Sequence, residues 1–553
     1  MTHISAEFLI AAIERELERG RGRGKHARSG RLGPVFYRCR LGGVSQSSGW
    51  RSAQPWPRAI ERIVARLERH AVAFDTLELG LAHSFRELDL TRQQRSIGPI
   101  HRGVRGLEVE TRGTTKRLSP FDFVAQNLGF EQGLGLVLNR IGGPSLKREP
   151  SRVTAFDAVQ FLYLRQPEER LIALHRGDRP IRARDVTRQT VAAAIDRLSD
   201  WFVANMKGDG SLPYMVDPSR LAEVPRENEV RQLMTSMCLG RLALKCGRSD
   251  VRAAALRSLK ANLDRFYRDE DGRGLVEHRE KIKLGGIAAA ALAIFHSPER
   301  AAFQEVEKAL AATMDLLWNA DGSFQTFLKP SDRTSGQDYY PGEALLYLCE
   351  RHAESPDPEF ASRLNLSIEY YQKYHDRIVA TGVAGDGDTN AGLAMIPWHT
   401  QAYARLWDCT RDDRLLSHIF KMNDRLVAKQ QWSECRYRDV RGRFAAHASA
   451  TGVYLEGLCD AYRVAKESGD SARAAKYHRT LVRGIRNLMQ LQFRDVTNQF
   501  YIQDRAKTQG AFRTEVYDNT IRIDNNQHAG IALCKFLEGL DAWHRSVDEH
   551  KLV

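Results

Sequence analysis

The chain has 553 residues, a formal net charge of +14 at pH 7 and an apolar fraction of 42 %. The mean hydropathy is −0.45, and no apolar run approaches the roughly 18 residues that a membrane span needs, so a membrane protein is not the expected class. The net positive charge, much of it from arginine, suggests nucleic-acid binding, but the sequence has no RRM, KH, zinc-finger or helix-turn-helix signature. We therefore expect an anionic or sugar substrate and no nucleic-acid partner.

The amino-terminal end predicts a short amphipathic helix and then a basic segment near residues 18–31, which we interpret as a solvated linker. A basic region followed by an apolar core and a small-residue cleavage site is not found there, which predicts a cytoplasmic protein. The eight cysteines occur singly and without any CxxC spacing. This usage predicts free, buried thiols in a reducing compartment.

Residues 1–182 predict a smaller α+β domain. Glycines are frequent here, and short apolar runs at 34–41, 72–81 and 106–113 are typical of strands. The stretch "RLSPFDFVAQNLGFEQGLGLVLNRIGG" resembles part of the AMMECR1-type α+β domain. That resemblance implies a fold and brings no catalytic residue with it.

From about residue 183 onward, apolar residues recur at the 3.6-residue period of amphipathic helices. Twelve helices are predicted, with rough spans 188–207, 227–246, 248–267, 283–296, 298–318, 340–353, 357–377, 397–410, 412–430, 447–468, 470–492 and 525–545. Very short links such as "CGRSD" and "ESGDS" alternate with long ones that carry a glycine turn and a strand-like run. This alternation is an internal repeat, and repeats decide the fold.

Six helical hairpins predict a mainly α protein whose residues 183–553 form an (α/α)6 toroid, with an open solenoid as the structural alternative. Segments rich in alanine and glycine, such as "GGIAAAALAIF", predict the inner ring. If inner and outer helices alternate, all inner helices are parallel, and their amino-terminal ends meet where the long loops converge. Those helix ends carry partial positive charge and favour anions.

The first turns of the six predicted inner helices carry functional side chains at matching places. Helix capping explains one or two for each helix, and we expect Asp338 and Asp524 to be N-caps. Capping does not explain the Tyr-Tyr, Trp-His and Gln-His pairs in different repeats, so we predict a ligand cleft. Its expected lining is Asn228, Arg231, Lys283, Gln337, Asp338, Tyr339, Tyr340, Glu343, Trp398, His399, His447, Thr451, Arg522, Asp524, Gln527 and His528.

Each of these residues also has a purely structural interpretation. A histidine such as His399 or His528 can be a hydrogen-bonded helix-start residue, and Trp398 can pack against the next helix. Glu456, two turns into its helix, is expected to be structural. The loop "VAGDGDTNAG" offers Asp386 and Asp388, but further oxygen ligands and a bidentate glutamate are missing, so we expect no metal and no cofactor.

Three segments resemble toroid carbohydrate enzymes: "DYYPGEALLYL", "IPWHTQAYARLWDCTRDDRLLSHI" and "IRIDNNQHAGIALCKFLE". The resemblance is to the N-acylglucosamine 2-epimerase and D-glucuronyl C5-epimerase groups and to related (α/α)6 hydrolases and lyases. It implies paired histidines and an arginine across the cleft. His399, His447, His528 and Arg231 are the residues that could take those roles.

The leading hypothesis is acid/base chemistry on a sugar or uronic-acid-containing glycan, as an epimerase or lyase. The expected catalytic residues are Tyr339, Tyr340, Glu343, His399 and His528. The expected substrate-binding residues are Arg231, Lys283, Asp338, Asp388, Trp398, His447, Arg522, Asp524 and Gln527.

Three other functions remain open at this point. A glycoside hydrolase would use two carboxylates from Asp338, Glu343, Asp388 and Asp524. A terpene or lanthionine cyclase is disfavoured, because the chain lacks an aspartate-rich initiator and a Cys-Cys-His zinc set. A non-catalytic glycan- or peptide-binding scaffold, with the amino-terminal domain as a docking module, is the last alternative. The oligomeric state is open.

Overall fold

The structure is a computed structural model that describes residues 4–21, 33–52, 55–89, 98–111, 113–142, 152–381 and 392–543. Asp386 and Asp388 lie outside the described residues, as does most of the predicted basic linker. The start of that linker, residues 18–21, belongs instead to the first helix. Among the described residues, no helix is both long and apolar enough to cross a membrane.

The amino-terminal part is an antiparallel sheet with four helices. Its strands are β1 (Val35–Leu41), β2 (Val44–Arg51), β3 (Thr76–Glu87), β4 (Arg105–Thr111), β5 (Thr114–Leu118), β6 (Arg152–Leu164) and β7 (Arg170–Leu174). Its helices are α1 (Ala6–Arg21), α2 (Pro57–Arg69), α3 (Pro120–Ala125) and α4 (Phe130–Gly142). The strand order is β2-β1-β3-β6-β4-β5, and β7 also pairs with β6.

Both faces of this sheet are buried in apolar clusters. Successive side chains along a strand point to opposite faces, so neighbouring residues of one strand belong to different clusters. Phe161 and Tyr163 of β6 join the apolar cluster with α1 and α2, whereas Leu162 and Leu164 face the other side. That second cluster includes α3 and residues 500–502 from the carboxyl-terminal part of the chain. The sheet therefore packs directly on the helical part, and a division into two domains at about residue 182 stays a prediction.

The described residues of the rest of the chain form twelve long helices, at nearly the predicted positions. They are α5 (Arg188–Asn205), α6 (Glu229–Cys246), α7 (Ser249–Phe266), α8 (Leu284–Phe295), α9 (Gln304–Leu316), α10 (Tyr340–Glu354), α11 (Pro358–Thr381), α12 (Ile396–Thr410), α13 (Asp413–Val427), α14 (Ala448–Glu467), α15 (Ser471–Leu491) and α17 (Ile523–Trp543). A short helix, α16 (Val496–Gln499), precedes α17.

Six of these helices form a closed inner ring. Each contacts its neighbours in the order α6, α8, α10, α12, α14 and α17, and α17 contacts α6 again. The outer helices α7, α9, α11, α13 and α15 each pack on the inner helix that precedes them, and α5 packs on α17. The structure therefore has the closed arrangement of an (α/α)6 toroid, and the open solenoid is not adopted.

A glycine lies at each of the six contacts between neighbouring inner helices. A Cβ added at any of these glycines would come within 3.0 Å of an atom of the adjoining helix or its carboxyl-terminal cap. The six are Gly240, Gly285, Gly342, Gly457, Gly452 and Gly530. The alanine- and glycine-rich segments thus form the inner ring as predicted, because only small residues permit this close approach.

The long connections carry two further small antiparallel sheets. One has the order β10 (Tyr267–Glu270), β11 (Arg273–His278), β12 (Lys281–Lys283) and β13 (Phe327–Lys329). The other has the order β14 (Arg513–Glu515), β15 (Asp518–Arg522), β8 (Met215–Asp217) and β9 (Ala222–Glu223). The long links are predicted to carry strand-like runs, but the link at 494–504 begins with α16 instead, which Asp495 caps by accepting a hydrogen bond from the Thr497 amide.

Buried ion pairs join residues 176–178 to the helical part. Arg176 donates to Asp439 at 2.6 Å, and Asp178 accepts from Arg494 at 2.5 Å and from Arg513 at 3.0 Å. Since removing one partner of a buried pair leaves an uncompensated charge, these pairs fix the sheet to the ring in one orientation.

The eight cysteines are free, as expected, but they are not all buried. Cys409 is exposed, and Cys246 and Cys435 are half-buried. Their thiols take no part in any disulfide, and the exposed position of Cys409 corrects the prediction of buried cysteines throughout.

Replacing Gly457 by alanine should destabilise the ring. The new Cβ would lie 2.7 Å from the Cα of Pro397. We expect this overpacking to lower the free energy of unfolding by about 1–3 kcal/mol, measured by equilibrium urea denaturation. The control is Gly539→Ala in α17, where the nearest atom is 3.6 Å away and alanine should be neutral or stabilising. Equal stability of the two variants would contradict the close packing.

Candidate active site

The long connections enter the inner helices at one end of the ring, which brings their first turns together. Asp338 and Asp524 are not the N-caps that the sequence predicts. Tyr339 occupies the N-cap position of α10 and makes no side-chain cap, and α17 already begins at Ile523. Both aspartates are at least 95 % buried, so their carboxylates belong to the interior of this end rather than to the solvated helix starts.

Glu343 and Tyr340 lie against α8. A Cβ added at Gly285 would be 2.8 Å from Glu343 Oε2 and 2.2 Å from Tyr340 Cδ1, so the glycine makes room for both side chains. Glu343 is 5 % exposed, and its Oε2 has no hydrogen-bond partner among the described residues. Burial raises the pKa of Glu343 to about 8, so this carboxyl group is mostly protonated at neutral pH.

Glu229 in the first turn of α6 lies on the other side of α8. It is 1 % exposed, and Lys283 Nζ stands 2.6 Å from its Oε1. Its Cγ is 3.7 Å from the place where a Cβ on Gly286 would be. Two buried carboxyl groups therefore flank the first turn of α8, and a predicted cation, Lys283, pairs with one of them.

His528 is held by a carboxylate from the adjacent helix. Glu456 of α14 is fully buried, and its Oε1 lies 2.8 Å from His528 Nδ1. Thr235 donates to Gln527 Oε1 at 2.7 Å, which turns the Gln527 amide nitrogen toward His528 Nε2 at 3.4 Å. This network assigns the proton to Nδ1 and leaves Nε2 as the basic nitrogen.

Two predicted arginines converge on Asp524. Arg231 Nε lies 3.1 Å and Arg522 Nη2 lies 2.5 Å from Asp524 Oδ2. Arg231 also donates to the Tyr214 hydroxyl. His447 lies near Arg522. Burial lowers the pKa of His447, and the charge of Arg522 lowers it further.

Trp398 links the two parts of the site. Its Cβ abuts Gly342 of α10, and its ring centroid is 6.2 Å from that of His528. Because Trp398 is only 3 % exposed, its ring packs inside the site rather than offering an open face. Tyr339, by contrast, is 43 % exposed.

His399 is a buried residue behind Gly342. It is 1 % exposed, and its ring centroid lies 5.2 Å from that of Tyr371 and 5.5 Å from that of Tyr403. Burial lowers its pKa to about 3, so the imidazole is neutral at pH 7. Neither ring nitrogen has a hydrogen-bond partner among the described residues, which sets His399 apart from the anchored His528.

Three residues that the structure brings to the candidate site were not among the predicted site residues: Glu229, Glu456 and Tyr214. Glu229 stands next to the selected Asn228, so its place in an inner first turn was a usable signal. Glu456 looked structural because its partner, His528, lies on another helix. Tyr214 comes from a long connection whose path the sequence does not reveal. Within the described part of the chain, no group of three or more His, Cys, Asp or Glu residues is arranged to hold a metal ion.

No protein-family model and no curated protein sequence matches the chain. Among solved structures, an inactive variant of the α-1,6-mannanase GH76A of Salegentibacter sp. HEL1_6 in complex with α-1,6-mannotriose is 10 % identical, with a TM-score of 0.48 over 64 % of this chain and 99 % of that one. D-mannose isomerase is 12 % identical, with a TM-score of 0.48 over 64 % and 98 %. The unsaturated glucuronyl hydrolase of Bacillus sp. GL1 is 16 % identical, with a TM-score of 0.43 over 62 % and 96 %.

These similarities are too distant to assign a family or an activity, so an activity has to be argued from the site itself. The AMMECR1-type resemblance of the amino-terminal region is not shown by them and stays an expectation.

Stability should depend on pH through three buried histidines beside the site. Burial lowers the pKa of His375 and His418 to about 4 and that of His399 to about 3. The unfolded chain then holds more protons than the folded chain between pH 6.5 and about 4. The free energy of unfolding should rise with pH across this window, by about 3 kcal/mol for each histidine, and level off above it.

Urea denaturation at a series of pH values tests this expectation. His399→Phe should flatten the slope, whereas the control His70→Gln, at an exposed position, should leave it unchanged. A slope that is the same in all three proteins would contradict the contribution of His399.

Proposed function

We propose that this protein is a carbohydrate-active enzyme that moves a proton at a carbon next to a carbonyl or carboxylate group, as an epimerase, isomerase or lyase. The observation that carries the proposal is the pairing of His528 with the fully buried Glu456 at the amino-terminal end of the inner ring. A carboxylate that holds Nδ1–H fixes the tautomer and orientation of an imidazole and stabilises the imidazolium once Nε2 has taken a proton.

The proposed proton acceptor is His528 Nε2. It would take the proton from the substrate carbon, and the electron pair of that C–H bond would become an enolate or enediolate. The side-chain oxygen of Gln527 accepts a hydrogen bond from Thr235, so the Gln527 amide nitrogen lies beside His528 Nε2. With substrate bound, this nitrogen would donate its hydrogen to the substrate oxygen rather than to Nε2. General-base catalysis of this kind contributes about 10²–10⁴-fold to a rate.

The proposed proton donor is Glu343. Burial keeps its carboxyl group protonated at neutral pH, with a pKa of about 8, which is the state that a general acid needs. It would return a proton to the carbon or to the leaving oxygen, and the carboxylate that forms would be reprotonated from solvent. The ring of the half-buried Tyr340 lies beside the same glycine, so this tyrosine is the proposed assisting residue.

The proposed binding group for the substrate's negative charge is the cluster around Asp524. Arg231 and Arg522 bring two positive charges, against one from Asp524. The remaining positive charge and the positive helix ends favour a carboxylate or a developing enolate. A sugar acid fits this balance, and so does a neutral sugar whose transition state gains negative charge.

The proposal predicts exchange of a carbon-bound proton with solvent. In D₂O, a substrate found in a panel of aldoses, ketoses, N-acylhexosamines and uronates should lose one C–H signal in proton NMR. We expect His528→Asn to slow this exchange by about 10²–10⁴-fold and Glu456→Gln by a smaller factor, because the imidazole is then held by a neutral partner.

The control is Glu467→Gln at the far end of α14, where the side chain is 40 % exposed; this variant should exchange at the normal rate. Cleavage of a glycosidic bond without any C–H exchange would contradict the proposal.

Glycoside hydrolysis is the second candidate, and the pair of carboxyl groups around α8 favours it. Glu343 is protonated, as an acid must be, and Glu229 pairs with Lys283 on the opposite side of Gly285 and Gly286. Two carboxyl groups that differ in protonation and flank one surface are what a glycosidase requires. Of the other predicted candidates, Asp388 lies outside the described residues, and Asp524 is occupied by two arginines.

Both candidates use Glu343 as the acid, which gives a common prediction. The rate at low substrate concentration, kcat/KM, should fall as pH rises through about 8, where Glu343 loses its proton. Glu343→Gln should lower kcat/KM by about 10²-fold or more and remove this pH dependence.

The control is Glu354→Gln at the carboxyl-terminal end of the same helix, where the side chain is 47 % exposed. Because folding raises the pKa of Glu343, the folded protein becomes less stable as pH rises from 4.5 to 8. Glu343→Gln, which stays neutral, should therefore be at least as stable as wild type at pH 9. Unchanged activity in Glu343→Gln would refute both schemes.

A further inference from the structure

A polar cavity lies at the end of the ring opposite the candidate active site, among the central and carboxyl-terminal turns of the inner helices. Its volume is about 220 Å³, and residues of α6, α10, α12, α14 and α17 line it. A water molecule occupies about 30 Å³ in the liquid, so the cavity has room for several waters or for a small polyatomic ion.

The acidic residues of this cavity are already paired. Arg405 donates to Glu350 at 2.7 Å, and Lys535 donates to Asp460 at 2.5 Å. Asp408 accepts two hydrogen bonds from Arg463, at 2.8 and 3.0 Å. Three carboxylates are thus matched by three cations, and the fourth cation of the cavity is left over.

Arg241 is that fourth cation. Among the described residues it forms no ion pair; its Nη2 lies 3.0 Å from His296 Nε2, and its Nε has no hydrogen-bond partner. Burial lowers the pKa of His296 well below its usual range, and Arg241, Lys535, Arg300 and Arg405 lower it further. His296 is therefore neutral, and the cavity carries an uncompensated positive charge.

Gln401 adds a donor that lacks an acceptor. It is 2 % exposed, and its Oε1 accepts a hydrogen bond from Lys535 at 2.7 Å, which fixes the orientation of the amide. Its Nε2 has no partner within the described part of the chain. Buried amide groups are nearly always hydrogen-bonded, so an unpaired NH₂ in a cavity indicates an acceptor that occupies it.

We propose that this cavity binds a phosphate-sized oxyanion, either free phosphate or the phosphate group of a small phosphomonoester, between the Arg241 guanidinium and the Gln401 amide. Arginine presents a planar fork of donors that matches tetrahedral oxyanions, and the amide adds a further N–H. The anion would join α6 to α12 across the axis of the ring and would be remote from the catalytic cleft at the other end.

A simpler account of the charge is that the cations balance the negative carboxyl-terminal ends of the inner helices. That account explains an excess of arginine and lysine. It does not explain why the buried Gln401 amide points its NH₂ group at no acceptor, since a helix end offers carbonyl oxygens in plenty. The amide and the unpaired Arg241 Nε together favour a bound anion.

Isothermal titration of the full chain with inorganic phosphate, at constant ionic strength, tests the proposal. Wild type should bind one phosphate saturably, and its thermal midpoint should rise with phosphate concentration. Arg241→Gln should weaken binding by about tenfold or more. Gln401→Glu should abolish it, because the new carboxylate keeps the acceptor for Lys535 and repels the anion.

Lys308→Gln is the matched control, since it removes one positive charge from an exposed lysine that pairs with Glu305. It should bind phosphate as wild type does. A parallel titration with glucose 6-phosphate separates the two sources: binding of phosphate alone indicates a free-ion site, and binding of both indicates a phosphomonoester site. Absence of saturable binding in folded wild type, or equal weakening by Arg241→Gln and Lys308→Gln, would overturn the proposal.

Discussion

The close approach of neighbouring inner helices at glycine is the constraint on which the rest of the structure depends. At Gly285 the space that a side chain would fill is taken by Glu343 and Tyr340, and at Gly342 it is taken by Trp398 and His399. The same contacts that close the ring therefore bury the acidic and aromatic groups of the candidate site. Packing and chemistry are set by one feature, because a larger residue at either glycine would displace a functional side chain.

Burial outweighs the helix dipole in this site. Glu343 lies in the first turn of α10, where the positive helix end favours an ionised carboxylate. Its pKa is nevertheless raised to about 8, and burial is the cause. Asp524 occupies a similar first-turn position on α17 but has two arginines within 3.1 Å, so it differs from Glu343 in its partners rather than in its depth. First turns on opposite sides of the ring thus hold one protonated carboxyl group and one charge-compensated anion.

The sequence predicts the ring well, because helix period and loop length are local properties. Six hairpins and glycine-rich inner segments were sufficient to expect closure, and the first-turn residues Arg231 and Asp524 do meet. What could not be predicted depends on contacts between helices. The pairing of Glu456 with His528 joins two different helices. Asp338 is not the N-cap of α10, because the helix begins at Tyr340 and Tyr339 takes the cap position. Periodicity places residues on a helix but does not show which neighbour they face.

The amino-terminal sheet contributes to the site by positioning rather than by chemistry. Asn127 donates to Asp518 at 3.1 Å, and Asn519 donates to the Val124 carbonyl at 2.7 Å, which ties α3 and its following turn to β15. β15 ends at Arg522 and runs directly into α17, which carries Asp524 and His528. A sheet fixed to this strand therefore helps to fix the position of Arg522, Asp524 and His528 at this end of the ring. That connection explains why buried ion pairs hold the sheet on the face that the long loops form, and not on the outer surface of the ring.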